Sequence, residues 1–363
     1  MVDQDTADWI RLTLIPGVGA ATQRLLLKAF GPPAAIFAAG HSALRSVVDA
    51  TAVASLVGHD CTAEVEAALA WAHEPGNRIL TLGDPDYPQA LLTTDDPPVL
   101  LYVKGRAELL NRPALAIVGS RNATRQGLVD AEAFAAAASQ AGLTVVSGLA
   151  LGIDAAAHRG ALEGVGSTIA VIGTGPDRIY PARNADLARR IAEKGVVVSE
   201  FAVGTPPLAP NFPRRNRLIA GLARGCLVVE AADQSGSLIT ARLALDAGRE
   251  VFAIPGSIHS PLAKGCHKLI KQGAKLVETA QDILEELCWE DVVSPVARSQ
   301  PAGPAPVREE DVVLLALGRD LCDLDTLSAR TGLATDALLA RLLPLELDGR
   351  VAQLAGGRYQ RLN

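Results

Sequence analysis

The chain has 363 residues, 49% hydrophobic and 20% charged, with a formal net charge of -6, the balance of an ordinary soluble globular protein of two or three domains with at least one large core. No uninterrupted apolar run approaches the ~18 residues of a spanning helix, and Met1-Val2-Asp3-Gln4-Asp5 lacks the basic and apolar regions of a secretory signal, so a cytoplasmic protein with no membrane partner is expected. The cysteines at 61, 226, 266, 288 and 322 lie far apart without a C-x-x-C, which argues against a structural zinc site or a disulfide framework.

Residues 1–77 read as a small helical domain. The segment LTLIPGVGAATQRLLLKAFG (12–31) joins an apolar run through a Pro-Gly-Val-Gly turn to a helix with Leu25, Leu26 and Phe30 inward. This is the pattern of a helix-hairpin-helix, whose turn amides can hold a phosphate. A plain tight turn built on Gly17 and Gly19 accounts for the same residues.

Residues 78–290 alternate between strand and helix patterns. Strands are expected at ALAIVG (114–119), LTVVSG (143–148), STIAVIG (167–173), GVVVSE (195–200), CLVVE (226–230) and EVFAIPG (250–256). Helical patterns fall near 124–140, 154–163, 184–194, 213–223 and 237–247. Strands that are apolar throughout are buried on both faces, so helices must cover both sides. The expected fold is α/β, a Rossmann-like, doubly wound, mostly parallel sheet. Residues 291–307, DVVSPVARSQPAGPAPV, contain four prolines and read as a linker. Residues 308–363 predict helices near 309–317, 323–331 and 335–348, then a hairpin at VAQLAGGRYQRL, the plan of a winged helix.

Ligands of an open α/β sheet bind beyond the carboxyl ends of its strands. The strands here run in turn into Gly119-Ser120-Arg121, Ser147-Gly148, GTGPDRIYPARN (from Gly173 to Asn184), the loop to Phe212 and Arg214–Arg217, then AADQSGS (231–237). Glycine lets a backbone approach a ligand, while serine hydroxyls and arginine forks bind phosphate oxygens. Several such loops suggest an extended anion path. Three windows are basic and free of acid: 109–129 (Arg112, Arg121, Arg125), 201–229 (Arg214, Arg215, Arg217, Arg224) and 251–277 (Lys264, Lys268, Lys271, Lys275). Any one of them alone can be solvated surface.

Other chemistries find less support. GTGPDR has the first two glycines of G-x-G-x-x-G, but Arg178 takes the third place, and no Gly-Lys dipeptide exists for a Walker A loop. SGLALG is not a G-x-S-x-G nucleophile elbow. Asp154 and His158, four apart on one helix, suggest either an acid/base or metal pair, or a helix cap beside a packed histidine. Cys266-His267 lacks further ligands. No cofactor and no catalytic residue is expected.

The runs AIVGSRNAT, VVSGLALGIDAAAHRGAL, TIAVIGTGPDRIYPARN, NFPRRNRLIAGL, SGSLITARLAL, GREVFAIPGS and GCHKLIKQGAKLV resemble the DNA processing protein A family (DprA/Smf), nearly continuously over about 110–280. The flanks are similar to the family's sterile-alpha-motif-like N-terminal domain and its C-terminal winged helix. The resemblance implies a dimeric, non-enzymatic protein that binds single-stranded DNA in a Rossmann pocket. It also implies loading of RecA during natural transformation, with single-strand binding protein displaced. Carried over to this chain, Ser120 and Arg121 match the family's G-S-R motif, and Ser147 and Gly148 match S-G-L-A. Phe212, Arg214, Asn216 and Arg217 match F-P-x-R-N-R, and Ser235, Gly236 and Ser237 match the S-G-S loop. Gly173, Asn184 and Arg215 complete the expected DNA site. One departure stands out: many relatives have lysine directly after the Asn of YPxxN, where this chain has Ala185, and Arg183, Arg189 or Arg190 are the nearby substitutes.

The leading expectation is a single-stranded DNA-binding recombination mediator. The alternatives are a Rossmann-fold enzyme acting on nucleotides, and DNA reading by the winged helix. Residues 308–363 hold seven arginines, no lysine and nine acids, a poor balance for a polyanion partner.

Overall fold

The computed structural model describes residues 2–289, 312–318, 322–354 and 357–362. The Pro-rich stretch expected as a linker, 291–307, lies outside the described residues. The chain divides into two compact units, Met1–Val292 and Val293–Asn363.

The first unit opens with helices α1 (Val2–Leu14), α2 (Ala20–Phe30), α3 (Pro33–Ala38), α4 (His41–Arg45), α5 (Ala50–Gly58) and α6 (Thr62–Ala72). They pack around Leu12, Leu26, Ile36, Val53 and Leu56. One expectation is corrected here: Leu25 is 54% exposed, and Leu27 beside it packs inward instead. At 100° per residue the apolar stripe of α2 runs through 23, 26, 27 and 30, which leaves Leu25 on the solvent side.

Next come β1 (Asn77–Thr81), α7 (Gln89–Leu92) and β2 (Leu100–Gly105), followed by β3 (Ala114–Val118), α8 (Arg125–Gln140), β4 (Thr144–Ser147) and α9 (Ile153–Ala161). The chain continues through β5 (Thr168–Val171), α10 (Ala185–Lys194), β6 (Val196–Ser199), α11 (Asn211–Leu222), β7 (Gly225–Val228) and α12 (Gly236–Asp246). The unit finishes with β8 (Glu250–Ala253), α13 (Lys264–Lys271), β9 (Lys275–Leu276) and α14 (Ala280–Glu286).

These strands form one sheet in the order β1-β2-β6-β5-β4-β3-β7-β8-β9. From β6 to β9 all pairs are parallel, while β2 runs antiparallel to both β1 and β6. The six expected strands form its centre. The edge strands β1 and β9 carry weaker signals: β1 exposes Arg78, and β9 is two residues long. Period-two burial explains the layers. Leu115 and Ile117 of β3 face α8 and α9, while Ala114, Ala116 and Val118 face α11 and α12. The Rossmann-like, doubly wound fold is therefore present, with antiparallel strands added at one side. The opening helices rest on that side, where Trp9, Ile10 and Trp71 share a core with Leu100 and Tyr102. Trp71 meets Tyr102 edge-on at 5.5 Å.

The second unit contains α15 (Val312–Leu317), β10 (Cys322–Asp323), α16 (Leu324–Thr331), α17 (Thr335–Leu347), β11 (Val351–Leu354) and β12 (Arg358–Arg361). Its helices enclose Leu314, Leu327, Leu338 and Leu342, and β11–β12 is the wing, with β10 paired to β12. This is a winged helix. Among the described residues, no helix is long and apolar enough to cross a membrane.

Candidate functional site

Strand order reverses between β3 and β7: the chain winds outward from β3 through β4 and β5, then returns to β3's other side with β7. Loops leaving the carboxyl ends of β3 and β7 must part at that point, which leaves a crevice. The structure has a cavity of about 440 Å³ there. Its walls are Ser120 and Arg121 after β3, Phe212, Arg215 and Asn216 at the start of α11, and Ser235, Gly236 and Ser237 at the start of α12, with Asp154 in the floor. Ser235 caps α12 by accepting from the Ser237 amide at 3.3 Å, and its hydroxyl meets that of Ser237 at 2.7 Å. The first turn of α12 thus presents its hydroxyls and amides toward the cavity.

The loop after β3 is held from below so that its arginine stays outside. The Glu230 carboxylate, just past β7, accepts from the Thr124 amide at 2.9 Å and its hydroxyl at 2.5 Å. Thr124 in turn caps α8 through the Gly127 amide. Glu230 is thereby consumed in anchoring the loop. Exposed Arg121 places its guanidinium 5.8 Å from the centre of the Phe212 ring. Tyr180, 48% exposed, lies 5.5 Å from the same ring. Two aromatic faces and a cation therefore meet at one rim.

The loop after β4 is organised from within. Leu149 has φ 58°, a left-handed conformation that costs a leucine roughly 1–2 kcal/mol. Side chains from all sides hold it there. Asp154 accepts from the Gly148 amide at 3.1 Å and the Ala150 amide at 3.3 Å. Asn184 donates to the Leu149 carbonyl at 2.8 Å. Arg215 donates to the Gly148 carbonyl at 2.6 Å, and a Cβ on Gly148 would fall 1.8 Å from that guanidinium, so any larger residue must displace the buried arginine. The Leu149 amide donates to His158 Nε2 at 3.2 Å, which leaves the ring proton on Nδ1, facing Thr168 Oγ1 at 2.7 Å. The Thr168 hydroxyl in turn donates to the Val145 carbonyl. Burial pushes His158 down to about 3, so it is neutral throughout the physiological range.

Among the described residues, Arg215 is the one cation that is both buried and in the crevice wall. Burial lowers it to about 10, against the pull of Asp154, so it stays charged at neutral pH. Burial also raises Asp154, opposed first by Arg215 and then by the amides it accepts from. Every hydrogen bond it makes to the loop is as an acceptor, the pattern of a carboxylate.

The structure redistributes the expected site residues. Ser120, Arg121, Phe212, Arg215, Asn216, Ser235, Gly236 and Ser237 converge on the crevice. Ser147 does not: it is fully buried and spends its hydroxyl on the Ile117 carbonyl at 2.7 Å. Gly148 lies behind the wall, under Arg215. Gly173 lies beneath the Phe212 ring and accepts from the Asn211 side chain at 3.2 Å. Asn184 is buried as a loop brace. Arg217 turns away to a short ion pair with Glu200, a carboxylate buried to 3% exposure, and to Asp96 at 3.3 Å. Arg214 leans on Glu200 at 3.4 Å and on the Phe201 ring at 5.4 Å. Window 201–229 is acid-free in sequence, yet Glu200 and Asp96 neutralise two of its arginines in space. Asp96 also pairs with Arg24 of α2, tying the opening helices to the sheet.

Of the substitutes for the lysine replaced by Ala185, Arg189 pairs with Asp186 at 2.9 Å and Arg190 with Glu163 at 3.4 Å. Arg183 is exposed and makes no ion pair among the described residues. Sequence reasoning missed Asn122, Gln234 and Thr240 in the crevice lining and Tyr180 at its rim. Tyr180 was within reach, since it starts the Tyr-Pro pair of the quoted GTGPDRIYPARN run.

Fold and crevice together define a doubly wound α/β protein with a basic, hydroxyl-rich switch-point cleft and a separate winged helix. The sequence profile of the family described as DNA recombination-mediator protein A matches residues 78–288, and that of the DprA winged helix domain matches 297–357. The chain belongs to this family. It is 42% identical to Protein Smf of Escherichia coli over 82% of this chain and 81% of that protein. It is 51% identical to DNA processing protein DprA of Streptococcus pneumoniae over 56% of this chain and 72% of that one. The solved structure of the Streptococcus pneumoniae protein is similar with TM-score 0.69 and 39% identity, over 77% of this chain and 97% of that chain. DNA processing protein A from Helicobacter pylori, whose structure was solved to describe its single-stranded DNA binding mode, is similar with TM-score 0.54 and 30% identity, over 58% of this chain and 96% of that chain.

Proposed function

We propose that the crevice binds single-stranded DNA. The observation that carries this reading is the meeting, in one cleft of about 440 Å³, of phosphate-binding groups with a base platform. Arg121 supplies an exposed guanidinium fork, Arg215 a buried positive charge in the wall, and Ser120, Ser235 and Ser237 supply hydroxyls. Phe212 and Tyr180 supply faces on which a base can stack, each stacked base contributing roughly 1–3 kcal/mol. Only an unstacked base can use such a face, so single strands are preferred to duplex.

The same reading makes the chain a recombination mediator that acts as a homodimer, protects incoming DNA during natural transformation and loads RecA in place of single-strand binding protein. Family membership supports this role. The protein acts by binding, without catalysis: Asp154 and His158, the pair that suggested acid/base chemistry, are both engaged in holding the loop after β4. The winged helix, with more acids than bases, serves a protein partner or the dimer rather than duplex DNA.

Fluorescence anisotropy with single-stranded DNA, blunt duplex and free nucleotides tests the reading. Single strands should bind best, with a log-log salt slope of about -0.7 for each phosphate neutralised. Equal affinity for duplex, or a flat salt response, overturns it, and turnover of a nucleotide establishes the enzyme alternative. RecA loading is tested by RecA filament formation on strands coated with single-strand binding protein, which should accelerate when this protein is added.

A further inference from the structure

The basic windows 109–129 and 201–229 do not gather in one place. Arg121 and Arg215 stand at the carboxyl edge of the sheet, whereas Arg112 precedes β3 and Arg224 precedes β7, at the amino edge. The five residues of β3 separate the two edges by about 16 Å. Arg249, just before β8, joins them there. The three guanidiniums line a cavity of about 330 Å³ floored by Leu110, Pro113 and Leu222, and no carboxylate lines it.

The three differ from the paired arginines elsewhere. Arg224 is exposed, and its side chain makes no hydrogen bond or ion pair among the described residues. Arg112 is exposed and has one long contact, 3.4 Å to the Val165 carbonyl. Arg249 is half-buried and held in place by Thr93 Oγ1 at 2.9 Å and the Ala90 carbonyl at 3.3 Å, while its enclosed Nε has no partner. Glu108, four residues before Arg112 and acting on it through space, spends its carboxylate on Arg106 at 2.9 Å, and Asp246 and Glu250, beside Arg249, are exposed and form no ion pair with any of the three. Helices α11 and α12 end near this edge, and their carboxyl termini carry about half a negative charge each. Three full positive charges exceed that by about two.

We infer that this amino-edge cavity is a second phosphate-binding site, separate from the crevice. Guanidinium forks with free donors around a small cleft, one of them pre-set by a threonine, match a phosphate's several acceptor oxygens. The phosphate comes either from a free phosphorylated compound or from the backbone of a bound strand, and the chemistry of recognition is the same.

The test uses the full chain and pyrophosphate, followed by phosphorus NMR line broadening at fixed ionic strength. Arg121→Ala weakens the crevice, and the pair Arg112→Ala/Arg224→Ala weakens the amino edge. The Arg121→Ala protein should still bind pyrophosphate. Adding the pair should reduce that remaining affinity about tenfold or more for each arginine, with the thermal midpoint unchanged because both residues are exposed. Arg112→Lys/Arg224→Lys, which keeps the charge and loses the fork, should be intermediate. The inference is overturned if the Arg121→Ala protein binds no pyrophosphate, if adding the alanine pair changes nothing, or if the lysine pair keeps full affinity. Oligothymidylates identify the source: a loss confined to long strands assigns the site to a strand's backbone, and unchanged strand binding assigns it to free phosphorylated compounds. The crevice reading is judged separately, by Arg121→Ala on short strands.

Discussion

The loops after β3 and β4 lie side by side, both begin with serine and glycine residues, and both carried family motifs into the expected site. They do opposite jobs. Gly119-Ser120-Arg121 is anchored from below by Glu230 and keeps its arginine outside, beside the Phe212 ring. Gly148–Gly152 is gripped on every side by Asp154, His158, Asn184 and Arg215, and holds Leu149 in a left-handed conformation. On the proposed reading one loop offers groups to a ligand, and the other converts its polar residues into rigidity. Variants in the second should therefore be read first as losses of fold, and variants in the first as losses of affinity.

The largest effect should come from removing the buried carboxylate under the second loop. Asp154→Ala takes away the acceptor of the Gly148 and Ala150 amides and the negative charge that acts on buried Arg215, and leaving a buried charge uncompensated costs about 3–5 kcal/mol. A denaturant melt should show that loss directly. If Asp154→Ala kept wild-type stability and lost only DNA affinity, the carboxylate would belong to the ligand site and the contrast between the loops would fail.

Next in size is Arg121→Ala. A charge-assisted phosphate contact is expected to contribute about 1.5–3 kcal/mol, or roughly tenfold to more than a hundredfold in Kd. The loss should be the same for all base compositions, because phosphates carry no sequence information. Arg121→Lys should recover part of it. A fall in Tm with unchanged DNA affinity would make Arg121 a brace and shift the crevice's phosphate contacts to Arg215.

An effect of pH also separates the loops, smaller per pH unit than either substitution. His158 has an ordinary value of 6.5 and is lowered to about 3 in the fold, so between these values the unfolded state binds a proton that the native state does not. Its contribution to stability is fully present above pH 6.5 and falls as pH drops toward 3, with a slope of at most about 1.4 kcal/mol per pH unit. Asp154 and Glu200, both raised by burial, act with the opposite sign above their ordinary 3.8 and 4.5. The difference between wild type and His158→Gln therefore isolates the histidine, and a difference that does not vary between pH 4 and 6.5 would show that the fold does not hold it neutral.

The smallest effect should come from deletion of 291–363. If the β3 loop and its neighbours make the DNA contacts, single-strand affinity should change by no more than about threefold. Abolished binding in a folded remainder would move the reader to the winged helix.

Much of this protein was legible without coordinates. The central strands are apolar on both faces, and that pattern survives any arrangement of neighbours, so the doubly wound sheet, its helices and the winged helix could be read from period and punctuation. Motif order carried the family. The crevice's position was legible too, because Gly-Ser and arginine recur where strands end. Only the tertiary structure decided which of those residues face the crevice. Arg214, Arg215 and Arg217 share one helical turn, yet 100° per residue sends Arg215 into the crevice, while Arg214 and Arg217 reach Glu200 from the opposite side. Asp96 and Glu230, distant in the chain, neutralise or anchor what looked free. A sequence lists charges in order along a line, whereas binding depends on which of them remain uncompensated in space, and that is set by contacts between residues the chain keeps far apart.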